Sequence, residues 1–153
     1  MTKNKELFWM KEALKQAKEA FVIGEVPIGA VIVKDNELIA SGHNKREREQ
    51  NAIDHAEIIA IKKACNTLNS WRLNNCELYV TVEPCPMCAG AIIQSRISRV
   101  IFGTPDPKAW GDLEIEQVLK NPNLNHRVEL VSGIYKEESR ELLRSFFKRL
   151  RNK

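Results

Sequence analysis

Two clusters of metal-ligand residue types, His55-Ala56-Glu57 and Pro84-Cys85-Pro86-Met87-Cys88, constrain this chain more than any other feature of its sequence. Imidazole nitrogen and thiolate sulfur suit zinc, and one histidine with two cysteines fills three corners of a tetrahedron. Three protein ligands leave room for water, as in catalytic sites, whereas a fourth would point to a structural one. None is evident: His43 and His126 lie outside the two clusters, and Cys65 and Cys76 lack a partner at close spacing. For the clusters to act together, the backbone must return to one point between them.

From Lys5 to Ile23 the apolar residues Leu7, Met10, Leu14, Ala17 and Phe21 recur at three- and four-residue spacing. This predicts a helix with one buried stripe, stopped at Gly24. The β-branched run Pro27 to Val33 and the shorter Leu38-Ile39-Ala40 flank the turn Lys34-Asp35-Asn36-Glu37 and read as a hairpin. Charged, irregular Lys45 to Asn51 is a surface loop. A second helix runs from Asp54, placed to cap it, to about Leu68, with Ile58, Ile61 and Ala64 facing inward.

Glu77 to Val82 is a strand that Pro84 prevents from continuing as a regular ladder, and a helix carrying Ala89, Ile92 and Ile93 begins near Cys85. Arg99 to Phe102 is a further strand and Thr104 to Pro107 a proline-rich loop. Ile115 to Leu119 is a short amphipathic segment, Arg127 to Val131 a strand, and the last helix spans about Lys136 to Arg149. Helices alternating with strands over 153 residues predict one layered α/β domain, residues 1–153, around a central sheet, with no linker, repeat or low-complexity tract.

Both ligand clusters stand near helix starts, where unpaired amides and the helix dipole favour thiolate, so Cys85 and Cys88 should ionise readily. A bound zinc ion lowers the pKa of its water to about 7. Glu57, two residues after His55, is then placed to sit beside the metal without ligating it and to relay a proton from water to a ring and its leaving amine. The bland alternative has His55 capping a helix, Glu57 in solvent and two reduced core cysteines. A lone Cys-x-x-Cys also fits a redox motif, but redox chemistry leaves the upstream His-Ala-Glu unexplained.

Composition sets the outer bounds. Apolar residues make up 43% and charged residues 29%, an ordinary globular balance. No apolar run is long enough to span a bilayer, and polar Met1 to Leu7 does not resemble a signal peptide, so a cytoplasmic location with reduced cysteines is expected. Cys65 and Cys76 read as small buried hydrophobes. The net charge is +4, and Arg144, Lys148, Arg149, Arg151 and Lys153 crowd the C-terminus with no acid among them. That fits a polyanionic partner, and it equally complements a helix dipole.

The two clusters match the His-x-Glu and Pro-Cys-x-x-Cys signature of the zinc nucleobase deaminases of the cytidine deaminase superfamily. More narrowly, the chain resembles the bacterial tRNA-specific adenosine deaminases, which convert the wobble adenosine of an arginine tRNA anticodon to inosine. The likeness covers about Phe8 to Arg151 and includes Gly24-Glu25-Val26-Pro27-Ile28-Gly29-Ala30, Gly42-His43-Asn44, Ser70-Trp71-Arg72-Leu73, Leu78 to Cys85, Asn125-His126-Arg127 and Phe146-Phe147.

The resemblance implies a three-layer α/β/α fold with a mixed sheet of about five strands, one zinc ion per subunit and a homodimer acting on a tRNA anticodon stem-loop. It also implies that Asn44 hydrogen-bonds the target nucleoside and that Ile28 and Ala56 line the base pocket. Pro84 and Asp106 join the substrate-binding set, and Phe147 with the basic terminal helix lies along the anticodon loop. The plainer readings are a turn residue for Asn44 and core packing for Phe146 and Phe147, at least one of which should face inward. An anticodon loop is already partly unstacked, so extruding its base is inexpensive.

Two departures from that family bear on substrate choice. Asp54 precedes the histidine where a small or apolar residue is usual, and Lys108 to Glu114, with Trp110, replaces a stretch normally rich in glycine and serine. Two rivals follow: a deaminase of a free base or nucleoside such as guanine or cytosine, and a non-catalytic partner subunit that keeps zinc for stability. The basic C-terminal helix with Phe147 argues against the first, and an intact Glu57 against the second.

Overall fold

The alternation expected from sequence becomes α1 (Thr2–Val22), β1 (Gly29–Lys34), β2 (Glu37–His43), α2 (Ala56–Leu68), β3 (Cys76–Val82), α3 (Pro86–Gln94), β4 (Arg99–Thr104), α4 (Ile115–Leu119), β5 (Glu129–Val131) and α5 (Lys136–Arg151). These elements come from a computed structural model that describes residues 2–106 and 114–152, so the Trp110 segment expected to bear on substrate choice lies outside the described residues. The strands form one mixed sheet in the order β2-β1-β3-β4-β5. β1 is antiparallel to both β2 and β3, while β3, β4 and β5 run parallel. On one face the sheet packs with α2, α3 and α4 around Ile32, Leu78, Val80, Ile92 and Val100, and on the other it meets α1 through Trp9, Met10, Val31, Tyr79 and Ile101. With α5 beside α1, this is the expected three-layer arrangement.

Local chemistry explains the joints. Gly24, at φ +83, ends α1 in the left-handed region that glycine tolerates. Asp35 and Asn36 both have positive φ, as a two-residue hairpin turn of the primed type requires, and short polar side chains accept that conformation most readily. β2 runs on to His43, beyond the Ala40 expected from its apolar run, because β1 offers it a ladder as far as Gly29.

The helix faces differ in detail from their periodicity. On α1, Met10, Leu14 and Ala17 are buried as expected, but Leu7 and Phe21 are only half-buried, and Glu6, Trp9, Ala13 and Ala20 complete the inner stripe. On α2, Ala60 points inward where Ile58 was expected, since small side chains let the helix lie close to the sheet. An added Cβ on Gly42 would sit 2.8 Å from the Ala56 carbonyl oxygen, so the first turn of α2 rests directly on β2.

Strand register decides where function can sit. Gly29 faces His43 across β1 and β2, Ala30 faces Val80 across β1 and β3, and Val82 faces Thr104 across β3 and β4. Ile28, Asn44, Pro84 and Asp106 therefore leave the sheet along a single edge, beyond the carboxyl ends of β3 and β4, where open α/β sheets place their ligand sites.

At the opposite edge, Arg99 ties the parallel strands to α1. Its guanidinium contacts Glu6, Glu77 at 3.0 Å and Glu129 at 3.3 Å, and Lys5 adds a second cation 2.9 Å from Glu77. Burial alone would raise the Glu77 carboxyl, but hydrogen bonds from Lys5 and Arg99 outweigh it and hold the group below its ordinary value near 4.5. A carboxyl held low in the folded state gives its full stabilisation above the unfolded value, and loses it as pH falls through the folded one. Arg99→Ala strands Glu6 and Glu77 without their shared cation and should lower the unfolding free energy by about 3 kcal/mol at neutral pH. Urea titrations should also show the parent losing stability progressively below pH 4.5, with a flatter acid limb in the variant.

Candidate metal centre and the adjoining cleft

Two helix starts meet at the site. His55 is the N-cap of α2 and Cys85 the N-cap of α3, with Pro86 in the first turn, where its missing N–H costs nothing. Asp54, expected to cap α2, does not do so: its carbonyl oxygen accepts the Lys45 N–H at 3.0 Å and closes the base of the 45–54 loop. Asn44 caps from a distance instead. Its buried Oδ1 accepts the Ala56 N–H at 2.8 Å, satisfying one of the amides a helix start leaves open. Asn44 thus clamps α2 where His55 joins it.

The donor atoms converge. His55 Nδ1 lies 3.6 Å from Cys85 Sγ and 3.6 Å from Cys88 Sγ. One ring N–H cannot aim at two sulfurs equally. An ion about 2.0–2.1 Å from nitrogen and about 2.3 Å from each sulfur, with tetrahedral angles, sets each such pair about 3.6 Å apart. The two nitrogen–sulfur separations therefore suit a metal ion, and the three side chains form a group that could hold one. The Cys88 N–H also donates to Cys85 Sγ at 3.4 Å, the amide support that thiolates find at helix starts.

Electrostatics separate the roles of the two thiols. The Cys88 side chain hydrogen-bonds to Cys85, and this outweighs burial to bring Cys85 down to about 4. Cys88, which gives that bond and is fully buried, is pushed upward. A hydrogen bond with Cys85 raises the His55 imidazole above its ordinary value, against the effects of burial and of nearby Arg46. Glu57 lies one residue into α2, 4% exposed, with the Cys88 side chain in hydrogen-bond reach. Burial raises its carboxyl to about 7, where a group both takes and gives protons at neutral pH.

Next to this centre is a cleft of about 720 Å³ lined by Val26, Ile28, Asp106, Arg140, Arg144 and Phe147 among others. None of the three ligands borders it, but two of its walls are tied to theirs. The Ile28 carbonyl accepts the Asn44 N–H at 3.2 Å, and Glu83, two residues before Cys85, accepts the Asp106 N–H at 3.1 Å. Of the six residues expected to bind substrate, Ile28, Asp106 and Phe147 line the cleft, whereas Asn44, Ala56 and Pro84 are buried beside the ligands. Phe146 turns inward against Phe21. Cys65 and Cys76 are free thiols outside the site, half-buried and buried, and burial raises both. His43 bonds Gln16, and His126 bonds the Ile97 carbonyl.

Comparison with known proteins decides the family. Residues 4–151 match the MafB19-like deaminase family. A tRNA-specific adenosine deaminase of Bacillus subtilis (strain 168) is 50% identical over 145 residues, spanning 95% of this chain and 90% of that protein. The chain belongs to the tRNA-specific adenosine deaminase family. A solved structure from studies of A-to-I editing by tRNA:A34 deaminases at the wobble position of transfer RNA superimposes with a TM-score of 0.82 and 39% identity, covering 89% of this chain and 99% of that one. A guanine deaminase structure from Bacillus subtilis gives a lower TM-score of 0.62 with 41% identity, covering 64% of this chain and 63% of that one. The family's cytidine-deaminase-like architecture is the fold described above.

Sequence reasoning did not find three contributors to the site: the clamp role of Asn44 on α2, the Glu83 tether on Asp106, and Arg140 in the cleft. Arg140 stands one helical turn before Arg144, a spacing from which it was readable. Metal-depleted protein should take up one equivalent of Co2+ per chain and develop thiolate-to-metal absorption in the near ultraviolet. Cys88→Ser should weaken that absorption and lower affinity at least tenfold, roughly the scale of a lost ligand interaction.

Proposed function

We propose that this chain hydrolyses the 6-amino group of adenosine at the wobble position of a tRNA anticodon, that of an arginine tRNA reading ACG, to give inosine and ammonia. The observation that carries the chemistry is the pair of equal 3.6 Å separations between one imidazole nitrogen and two sulfurs, beside a buried carboxyl poised near neutrality. Zinc is the ion this donor set suits, one per subunit, held by His55, Cys85 and Cys88. When bound, it supplies Lewis-acid activation of water at neutral pH.

The rest of the work falls to the chain. Glu57 takes one proton from the attacking water and delivers it to the purine ring nitrogen as the oxygen adds to C6. It then takes the second proton from the new C6 hydroxyl and delivers it to the amine, so that the C6–N bond breaks, ammonia leaves and the oxygen stays as the C6 carbonyl. Asn44, whose Oδ1 is committed to Ala56, keeps its amide NH2 to donate to the nucleoside. Ile28, Ala56 and Pro84 shape an apolar slot for the extruded base, and Asp106 and Phe147 meet the flanking nucleotides. Arg140, Arg144 and Arg151 give the cleft a cationic wall suited to phosphates.

That wall favours RNA over a free base, which would gain little from three guanidinium groups beside its pocket. A buried proton-relay carboxyl likewise favours an active enzyme over a zinc-stabilised partner subunit. We place the enzyme in the cytoplasm as a homodimer. No described helix is long and apolar enough to cross a membrane.

Incubated with an ACG anticodon stem-loop, the purified zinc-loaded protein should form inosine, and it should release no ammonia from adenosine, guanine or cytosine. Turnover confined to the free bases rejects the RNA reading. Glu57→Gln should keep its zinc while kcat falls at least about a hundredfold, and His55→Ala should lose both. Elemental analysis run beside the kinetics separates the two variants, and parental activity in Glu57→Gln removes the relay role.

A further inference from the structure

The loop between Asn44 and His55 joins a residue at the substrate edge to a metal ligand, and it is built with few ties to the rest of the fold. Its base is closed by the Lys45 N–H bonded to the Asp54 carbonyl. Inside it, Glu49 bonds back to Lys45, Asn51 to Arg46, and Asp54 to Asn51. The loop's C-terminal end meets the site where the Ile53 carbonyl accepts the His55 N–H at 2.7 Å. Among the described residues, the hydrogen bonds that tie residues 46–52 to the chain outside 45–54 come from one side chain, Glu25. Its Oε1 accepts the Glu47 N–H at 3.2 Å and its Oε2 accepts the Arg48 N–H at 2.6 Å.

Glu25 is an unexpected place for a charge. It is 3% exposed and sits just past the C-terminal end of α1, where the helix dipole disfavours a carboxylate. Its own backbone is fixed by a 2.9 Å hydrogen bond from its N–H to the Ala20 carbonyl, after the left-handed turn at Gly24. Each carboxylate oxygen meets one of two consecutive amides, which makes Glu25 a rigid two-pronged acceptor aimed at the loop tip. The tip carries Arg46 and Arg48, both exposed and without an ion pair among the described residues, and Arg46 lies close enough to the metal centre to act on His55.

We propose that Glu25 is a positioning residue for substrate: by holding the Glu47 and Arg48 amides it fixes the loop so that Arg46 and Arg48 meet RNA phosphates beside the site. This rests on the RNA-deaminase reading above. The carboxylate touches neither substrate nor metal and acts through the loop alone. Loosening the loop removes binding made equally in the ground and transition states, so it raises KM more than it lowers kcat. Fewer ordered cations on the phosphate path also flatten the salt dependence of binding.

The experiment compares zinc-loaded parent, Glu25→Gln and Glu25→Ala on the ACG stem-loop across a salt series, with hydrogen exchange of the Glu47 and Arg48 amides followed in the RNA-free proteins. Glu25→Gln is the decisive variant, because it is nearly isosteric yet turns an NH2 toward one of the two amides it must accept. Expected are one zinc per chain, a parental melting temperature within a few degrees, KM raised about tenfold, kcat within about threefold of the parent, and a shallower salt slope. The two amides should exchange about tenfold faster, while those of α2 hold their protection. Unchanged KM with unchanged exchange overturns the proposal, as does a loss of activity that follows zinc loss or falls wholly on kcat. If the parent itself leaves the stem-loop untouched, the RNA reading fails, and the exchange rates still decide whether Glu25 holds the loop.

Discussion

One imidazole nitrogen equidistant from two sulfurs is the constraint on which the rest of this structure depends. Those atoms come from the starts of two helices, so α2 and α3 must begin at the same point although a strand and a turn separate them in sequence. The sheet meets that demand through register. With β1 antiparallel to its neighbours and β3 parallel to β4, the ends of four strands deliver Ile28, Asn44, Pro84 and Asp106 to one edge. Gly42 then lets α2 settle low enough on β2 for Asn44 to clamp its first amide.

The proposed chemistry depends on burial at that edge. A carboxyl in water near Glu57's position would be ionised and a poor donor to a leaving amine. Buried in the first turn of α2, it is raised to about 7, as the proposed relay requires. The same packing that raises Glu57 holds His55, Cys85 and Cys88 together, so the proposed site and the fold draw on the same contacts. The Arg99 network at the far edge supports the parallel strands without approaching the site. The deaminase fold of the relatives is accordingly the framework for this metal-and-carboxyl pair, with the cationic cleft added on one side.

Much of this was legible in the sequence because the signals are chemical types at fixed spacing. His55, Cys85 and Cys88 mark a group that could hold a metal, with Glu57 close to it, Lys34 to Glu37 marks a hairpin turn, and Gly24 marks the end of α1. Periodicity was weaker where two readings competed. Asp54 is a good capping residue by type, but the chain reaches its helical conformation one residue later and Asn44 supplies the cap from β2. Ile58 looked like core because it is apolar, yet Ala60 faces the sheet because α2 lies close to it. Glu6 could not be placed on a buried face without knowing that Arg99 waits there. Glu25 left no local trace, since its partners are backbone amides more than twenty residues away.

The most direct test is X-ray absorption at the zinc edge of protein purified without added metal. Two sulfur ligands at about 2.3 Å together with two nitrogen or oxygen ligands at about 2.0–2.1 Å are expected, the set formed by His55, Cys85, Cys88 and one solvent molecule. Protein that carries no zinc, or zinc bound without sulfur or by four sulfurs, would contradict the account.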